Sequence, residues 1–183
     1  MRRLYWWRLR QRLSQIKLLV LDVDGVLTDG GLWFDASGQL IKRFDARDGL
    51  GIRLLQQTGM EIAFLSGSHG EAADRRARQL EIQHCLLGIK DKLAALTELQ
   101  HQLGVGVAET AFLGDDLNDL AVRPVVGLLL APADACSAVR CRANAVLRRQ
   151  GGHGAVRELA EAILKARGRW QGLKRNGWRD YDN

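Results

Sequence analysis

A chain of 183 residues is long enough for one domain that buries about two-thirds of its unfolded surface. With 46% hydrophobic and 26% charged residues, wholesale disorder is excluded. The net charge of +6 suggests a polyanion binder, but residues 1–17 and 165–183 carry all of the excess. The stretch from 18 to 164 holds 15 basic and 19 acidic residues.

Residues 16–21 form a short, mostly apolar run whose length suits a buried strand of a parallel sheet, ending at Asp22. A Gly/Asp-rich turn over 22–31 leads into a hairpin, 32–34 and 39–44, around a turn at 35–38. Residues 48–58 read as a helix with Leu50, Ile52, Leu54 and Leu55 on one side and Gly59 as its stop. A strand at 61–66, a charged helix at 70–80 and a strand at 84–87 follow. Residues 91–103 carry Leu93, Leu96 and Leu99 at helical spacing. Strands at 110–113, 126–130 and 145–147 and a helix at 155–166 complete the pattern. Strands alternating with helices predict an α/β fold, a doubly wound parallel sheet with a β-hairpin insertion. Residues 16–168 then make one domain. Residues 1–15 read as a basic extension without a clean apolar face, and 169–183 as a basic, Trp-bearing tail. Both ends are expected to be solvated appendages.

No apolar run approaches the roughly 18–20 residues that span a bilayer, and the Arg-studded start is a poor secretory signal. Cys85, Cys136 and Cys141 are odd in number and lack metal spacing, which fits reduced thiols in the cytoplasm.

Polar chemistry in such a sheet collects at the carboxyl ends of the strands. Three ends carry it here: Asp22 and Asp24 after the first strand, Ser66-Gly67 after the second, and Asp115, Asp116 and Asp119 after the fourth. Carboxylates crowded together are costly unless a cation compensates them. An oxygen-rich set without His or Cys suits Mg²⁺, which takes one or two carboxylates plus a substrate phosphate. Lys92, at the start of the next helix, supplies a charge to hold that phosphate. The outline is a phosphoryl-transfer site.

These residues carry a resemblance. Asp22-Val-Asp-Gly-Val-Leu-Thr28 resembles motif I of the haloacid dehalogenase superfamily of phosphatases. Ser66 resembles motif II, Lys92 motif III, and Gly114-Asp-Asp-Leu-Asn-Asp119 motif IV. The four occur in order, at the proper strand ends, across residues 16–164. One hairpin and one helix between motifs I and II leave no room for a large cap domain. The chain is therefore similar to the capless branch that includes octulosonate 8-phosphate and nonulosonate 9-phosphate phosphatases and the C-terminal domain of some CMP-sialate synthases. Residues 45–51 and 151–158 resemble stretches of the same branch.

The resemblance implies a role for each residue. Asp22 is the expected nucleophile, forming an aspartyl-phosphate. Asp24 is the expected acid and base, with its backbone carbonyl near the metal. Asp22, Asp24 and Asp115 are the expected Mg²⁺ site, with Asp116 and Asp119 acting through water or orienting Lys92. Ser66, Gly67 and Lys92 are expected to hold phosphate oxygens. The implied substrate is a small acidic sugar phosphate, foremost 3-deoxy-D-manno-octulosonate 8-phosphate, used in surface-glycan (lipopolysaccharide) synthesis. Arg47, Asp48, His69 and Arg157 are candidate substrate contacts. Asp48 reads equally as a helix cap, and Arg157 as a solvated surface residue. The 151–158 segment is expected beside a neighbouring subunit's active site, and the hairpin bearing Trp33 implies a homotetramer.

One position departs from the branch. Ser68 stands where octulosonate phosphatases carry an Arg, so a bidentate grip on the sugar acid is lost. This favours, as alternatives, a nonulosonate 9-phosphate or a less selective sugar phosphatase. A non-catalytic oligomerisation domain is the third reading, against which Asp22, Asp24, Lys92 and Asp115 all count. Nucleic-acid binding or membrane-surface contact through the basic ends is not favoured, because neither end carries a motif for it.

Overall fold

The apolar run before Asp22 becomes β1 (Leu18–Leu21), the central strand of a six-stranded sheet, fully buried along its length. The computed structural model describes residues 2–178. Residues 1 and 179–183, including Arg179 of the basic tail, lie outside the described residues. In chain order the main sheet adds β4 (Glu61–Leu65), β5 (His84–Leu86), β6 (Thr110–Leu113), β7 (Leu128–Ala131) and β8 (Ala145–Val146). The strand order is β5-β4-β1-β6-β7-β8, and every neighbouring pair is parallel. The chain thus winds outward from β1 in one direction and then, from β6, in the other. That reversal leaves a crevice at the carboxyl ends of β1 and β6, where such sheets bind ligands. The expected doubly wound α/β fold is the observed one.

Alternation along β1 divides the core. Leu19 and Leu21 face a layer formed with α1 (Arg2–Gln15), α2 (Ala46–Gln56), α3 (Glu71–Gln79) and α6 (Ala155–Ala166). Leu18 and Val20 face the opposite layer, with Leu96 and Leu99 of α4 (Lys92–Leu103) and Val122 of a run of 3-10 turns over Leu117–Val125. Helix α5 (Ser137–Arg142) buries Val139 in a small cluster with Ala131 and Ala135. The hairpin is short: β2 (Trp33–Phe34) pairs antiparallel with β3 (Leu40–Ile41). Its turn is fixed by Asp35, whose Oδ1 accepts from Ser37 N at 2.8 Å, Ser37 Oγ at 2.7 Å and Gln39 N at 2.8 Å.

The structure corrects the reading of both ends. Residues 2–15 are a helix docked on the domain. Leu9 and Leu13 are buried with Ile16, and Trp6 packs against the same core. The spacing 6, 9, 13, 16 is a narrow helical stripe, masked in the sequence by exposed Trp7 and the interspersed arginines. The Arg12 guanidinium donates to the Gly127 carbonyl, and Lys17 Nζ pairs with Glu109 at 2.6 Å. At the other end, α7 (Trp170–Asn176) and Trp178 lie against the core, and Trp178 Nε1 donates to Gln57 Oε1 at 3.0 Å. Two cations of α6 stand over the Trp170 ring, Arg157 at 5.7 Å and Lys165 at 5.0 Å. The aromatic residues that suggested a binding tail are spent on packing.

Helix α2 also begins earlier than expected. Its cap is Asp45, whose side chain accepts from Arg47 N at 2.7 Å. Asp48 lies one turn inside and caps a different helix. It accepts from Gly154 N at 3.2 Å and Arg157 N at 2.7 Å, so it holds the start of α6 against α2.

Leu13 is 1% exposed, and truncating such a side chain costs about 2–5 kcal/mol. We expect Leu13→Ala to lower the urea midpoint accordingly; an unchanged midpoint would show that α1 contributes nothing to stability.

Candidate active site

Pairing brings the site together. Leu21 of β1 is level with Phe64 of β4 and Leu113 of β6, so the residues just beyond these strands meet at one edge. Asp22 N continues the ladder by donating to Leu113 O at 3.0 Å. The chain then turns over residues 23–27, and Thr28 N returns to Val23 O at 3.0 Å. Gly25 has φ +81°, and a Cβ there would collide with the Asp115 carboxylate. Only glycine meets both demands. Behind this loop, Gly151 and Gly152 press on backbone atoms of residues 25–29, with Gly152 N donating to Val26 O at 2.9 Å. Gly151 and Gly152, at the start of the segment expected beside a neighbouring subunit, thus also support the 23–28 loop of their own chain.

Lys92 opens α4 because Asp91 caps that helix, accepting from Ala94 N at 3.0 Å. Its ammonium is buried and donates to Asp22 Oδ1 at 3.0 Å and Asp119 Oδ1 at 2.6 Å. The other oxygen of Asp119 accepts from Asp115 N at 2.8 Å and Asp116 N at 3.2 Å. Asp119 is thus fully used in orienting Lys92 and shaping the loop. Asp116, exposed, accepts from Leu117 N at 2.8 Å and starts the 3-10 turns.

Burial, and then the charge of neighbouring carboxylates, raises the pKa of Asp22 and of Asp115. Asp22 is pushed up to about 6, mainly by burial and then by the charge of Asp119, with Lys92 pulling the other way. Asp115 is pushed up to about 8 by burial and by the neighbouring Asp22, Asp119 and Asp116. Burial would lower Lys92, but Asp22 and Asp119 outweigh it and hold the ammonium above its ordinary range.

This arrangement has the features of a cation site. Single oxygens of Asp22, Asp115 and Asp119 lie within 4.8 Å of one another. Asp115 Oδ1 is buried without a hydrogen-bond partner, which is costly unless something else satisfies it. Oxygen donors alone fit a hard ion such as Mg²⁺. Because both oxygens of Asp119 are already engaged, Asp22 and Asp115 are the side chains left to hold the ion. The carboxylate of Asp24 lies outside the cluster and pairs with Lys42, leaving its backbone carbonyl as the expected metal contact.

The site opens into a cleft of about 570 Å³ lined by Asp22, Asp24, Ser66, Gly67, Ser68 and Asp115. Ser66 is buried, and its Oγ accepts from Ser68 N at 3.2 Å. Asn118, Asp134 and Asp29 also line the cleft; sequence reasoning did not single them out, although Asn118 lies inside motif IV. Lys42, just past β3, was missed as well. Its ammonium reaches Asp24 Oδ1 at 2.7 Å and Oδ2 at 2.8 Å.

The four candidate substrate contacts are not brought into this cleft. Arg47 and Arg157 line a separate cleft of about 940 Å³ between α1 and α6, with Trp6, Arg10, Arg148 and Arg149. Arg47 pairs there with Asp45 at 2.6 Å and Arg157 with Glu161 at 3.0 Å. Asp48 is buried beneath them. The His69 ring lies over Gly88, where a Cβ would collide with it.

No family model matches the chain. It is 42% identical over 161 residues to the 3-deoxy-D-manno-octulosonate 8-phosphate phosphatase of Haemophilus influenzae, an alignment covering 88% of this chain and 89% of that protein. The crystal structure of the same phosphatase from Moraxella catarrhalis, in complex with magnesium, phosphate and KDO, superimposes with a TM-score of 0.90. It is 36% identical and the match covers 93% of this chain and 98% of that one. A Legionella pneumophila structure described as a HAD superfamily (subfamily III A) hydrolase has a TM-score of 0.88 at 38% identity, covering 92% and 93%. On the fold, the four motifs and these relatives, the chain belongs to the 3-deoxy-D-manno-octulosonate 8-phosphate phosphatase family of the haloacid dehalogenase superfamily.

Proposed function

We propose that the protein is an Mg²⁺-dependent phosphatase that hydrolyses 3-deoxy-D-manno-octulosonate 8-phosphate through an aspartyl-phosphate, in the cytoplasm and in service of lipopolysaccharide synthesis. The observation that carries this reading is the buried Asp22–Lys92–Asp119 chain beside the unpartnered Asp115 oxygen, at the floor of an open cleft. The free thiols of Cys85, Cys136 and Cys141 are consistent with a reducing compartment.

Asp22 attacks phosphorus while Lys92, Ser66 and the Gly67 backbone hold the phosphate oxygens. Asp24, on the cleft wall, gives a proton to the leaving sugar oxygen and later takes one from the attacking water. Mg²⁺, when bound by Asp22 and Asp115, neutralises charge that would otherwise repel the phosphate from the nucleophile. Asp22→Asn should lower kcat by at least about 10³-fold with an unchanged circular dichroism spectrum; turnover near the unsubstituted level would refute the assignment.

Ser68 favours a second reading, a less selective sugar phosphatase. A panel of sugar phosphates assayed with and without Mg²⁺ separates the two. A dedicated enzyme prefers the octulosonate by more than about tenfold in kcat/KM, equivalent to about 1.4 kcal/mol, and a smaller ratio supports the less selective one.

Protons and Mg²⁺ compete for the same oxygens. Asp22 and Asp115 are raised to about 6 and about 8 without the ion, so they ionise as pH rises through that window. Mg²⁺ affinity should therefore increase from pH 6 to pH 8, with proton release on binding. Calorimetry in buffers of different ionisation enthalpy reads both quantities, and a pH-independent affinity would contradict this account.

We also propose a homotetramer assembled through the hairpin. Leu32, Trp33, Phe34 and Ile41 are each more than half exposed there, an apolar concentration that marks an interaction surface. Phe34→Asp should reduce the mass measured by sedimentation equilibrium; a mass unaffected by it would place the contact elsewhere.

A further inference from the structure

The hairpin contains one side chain that points away from its exposed face. Lys42 follows Ile41, which is 53% exposed, and the alternation of extended chain turns Lys42 inward. Its side chain is 1% exposed, whereas the partner carboxylate of Asp24 is 31% exposed at the cleft. The ammonium donates to both oxygens of Asp24, at 2.7 and 2.8 Å, and to Ser68 Oγ at 3.2 Å, which uses all three of its protons. Ser68 Oγ in turn donates to Asp24 Oδ2 at 2.9 Å. The carboxylate is therefore gripped from two elements distant in sequence, the hairpin and the loop after β4. A side chain held on both oxygens cannot rotate freely about its carboxyl bond, so its direction into the cleft is set chiefly by residues outside motif I, with Thr28 Oγ1 of the motif reaching Oδ1 at a longer 3.5 Å.

We propose that Lys42, seated by Ser68, is a positioning residue that fixes the Asp24 carboxylate for proton transfer and thereby makes the hairpin part of the catalytic apparatus. The inference rests on the reading of Asp22 and Asp24 given above. In the first step an Asp22 oxygen bonds to phosphorus and the bond from phosphorus to the leaving oxygen breaks. The electron pair stays on that oxygen, which takes a proton from Asp24. In the second step a water oxygen bonds to phosphorus and passes a proton to Asp24. The bond from phosphorus to Asp22 breaks, and its electron pair returns to the carboxylate. A leaving group as stable as 4-nitrophenolate departs without the first proton, but the second step needs Asp24 whatever the substrate.

This difference supplies the test. Lys42→Met is mixed rapidly with 4-nitrophenyl phosphate and Mg²⁺, and nitrophenolate is followed from the first milliseconds. The expected result is a burst approaching one equivalent per subunit, at a rate within about threefold of the unsubstituted enzyme. Steady turnover then falls at least about tenfold, in the range that general acid–base groups contribute. With an alkyl phosphate the burst is lost as well. Lys42→Arg, which keeps a cation able to hold both oxygens, should recover most of the turnover. The inference is overturned if Lys42→Met turns over within twofold of the unsubstituted enzyme, if burst and turnover fall together, or if Lys42→Arg does not recover. Should Lys42→Met not fold, Ser68→Ala carries the same test: a severalfold fall in turnover with the burst retained supports the inference, and unchanged turnover overturns it. An unsubstituted enzyme that hydrolyses neither these esters nor 3-deoxy-D-manno-octulosonate 8-phosphate would instead refute the phosphatase reading itself, so the two failures are distinguishable.

Discussion

A shortage of positive charge governs this molecule's active edge. Asp22, Asp115 and Asp119 converge where β1 and β6 end, and the ammonium placed among them, Lys92, already divides itself between Asp22 and Asp119. Water cannot relieve the repulsion, because Asp22 and Asp119 are buried. The remaining negative charge must be met by protons or by a divalent ion. The raised pKa values of Asp22 and Asp115 express the first alternative, and the orphaned oxygen of Asp115 is prepared for the second. A fold that spends stability in this way holds a charge imbalance that a metal and a phosphate can complete together.

Much of the surrounding structure serves to keep that imbalance in place. Asp119 shapes the 114–119 loop through two backbone N–H groups while fixing Lys92. Gly25 leaves room for Asp115, and Gly151 and Gly152 let the chain before α6 lean on the motif I turn. Asp48, two helices away, sets where α6 begins. Of these supporting residues Gly25 alone lines the cleft, yet each limits where a carboxylate of the site can stand.

The fold and the central residues were legible because their signals are local. Short apolar runs ended in carboxylates, and a lysine opened a helix just after its capping aspartate. What was not legible depends on contacts between segments distant in sequence. Nothing near Lys42 distinguishes it from Arg43, and only the seating of the hairpin brings it to Asp24. Arg47 and Arg157 resembled substrate contacts by their neighbours in sequence, while packing carries both to a different cleft. The first helix is an intermediate case. Its stripe of Trp6, Leu9, Leu13 and Ile16 was present in the sequence, but Trp7 and the arginines between blurred the periodicity. Among the described residues, the basic ends belong to helices docked by their apolar faces, and Arg12 and Arg167 reach back to backbone carbonyls of the domain.

The pairing of β1 with both β4 and β6 has a consequence for the order of events in folding. Motif I follows β1, whereas motif IV follows β6, which neighbours β1 in the sheet but is separated from it in sequence by β4, β5 and the helices between them. Parallel pairing over such a separation forms slowly, since the entropy of closing the intervening loop is lost before the contacts are gained. No shorter stretch of the chain holds both Asp22 and Asp115, so no partial structure lacking β6 can present the complete cation site. The complete cation site is then tied to the pairing of β6 with β1, and not to β7 and β8, which lie beyond it in the sheet.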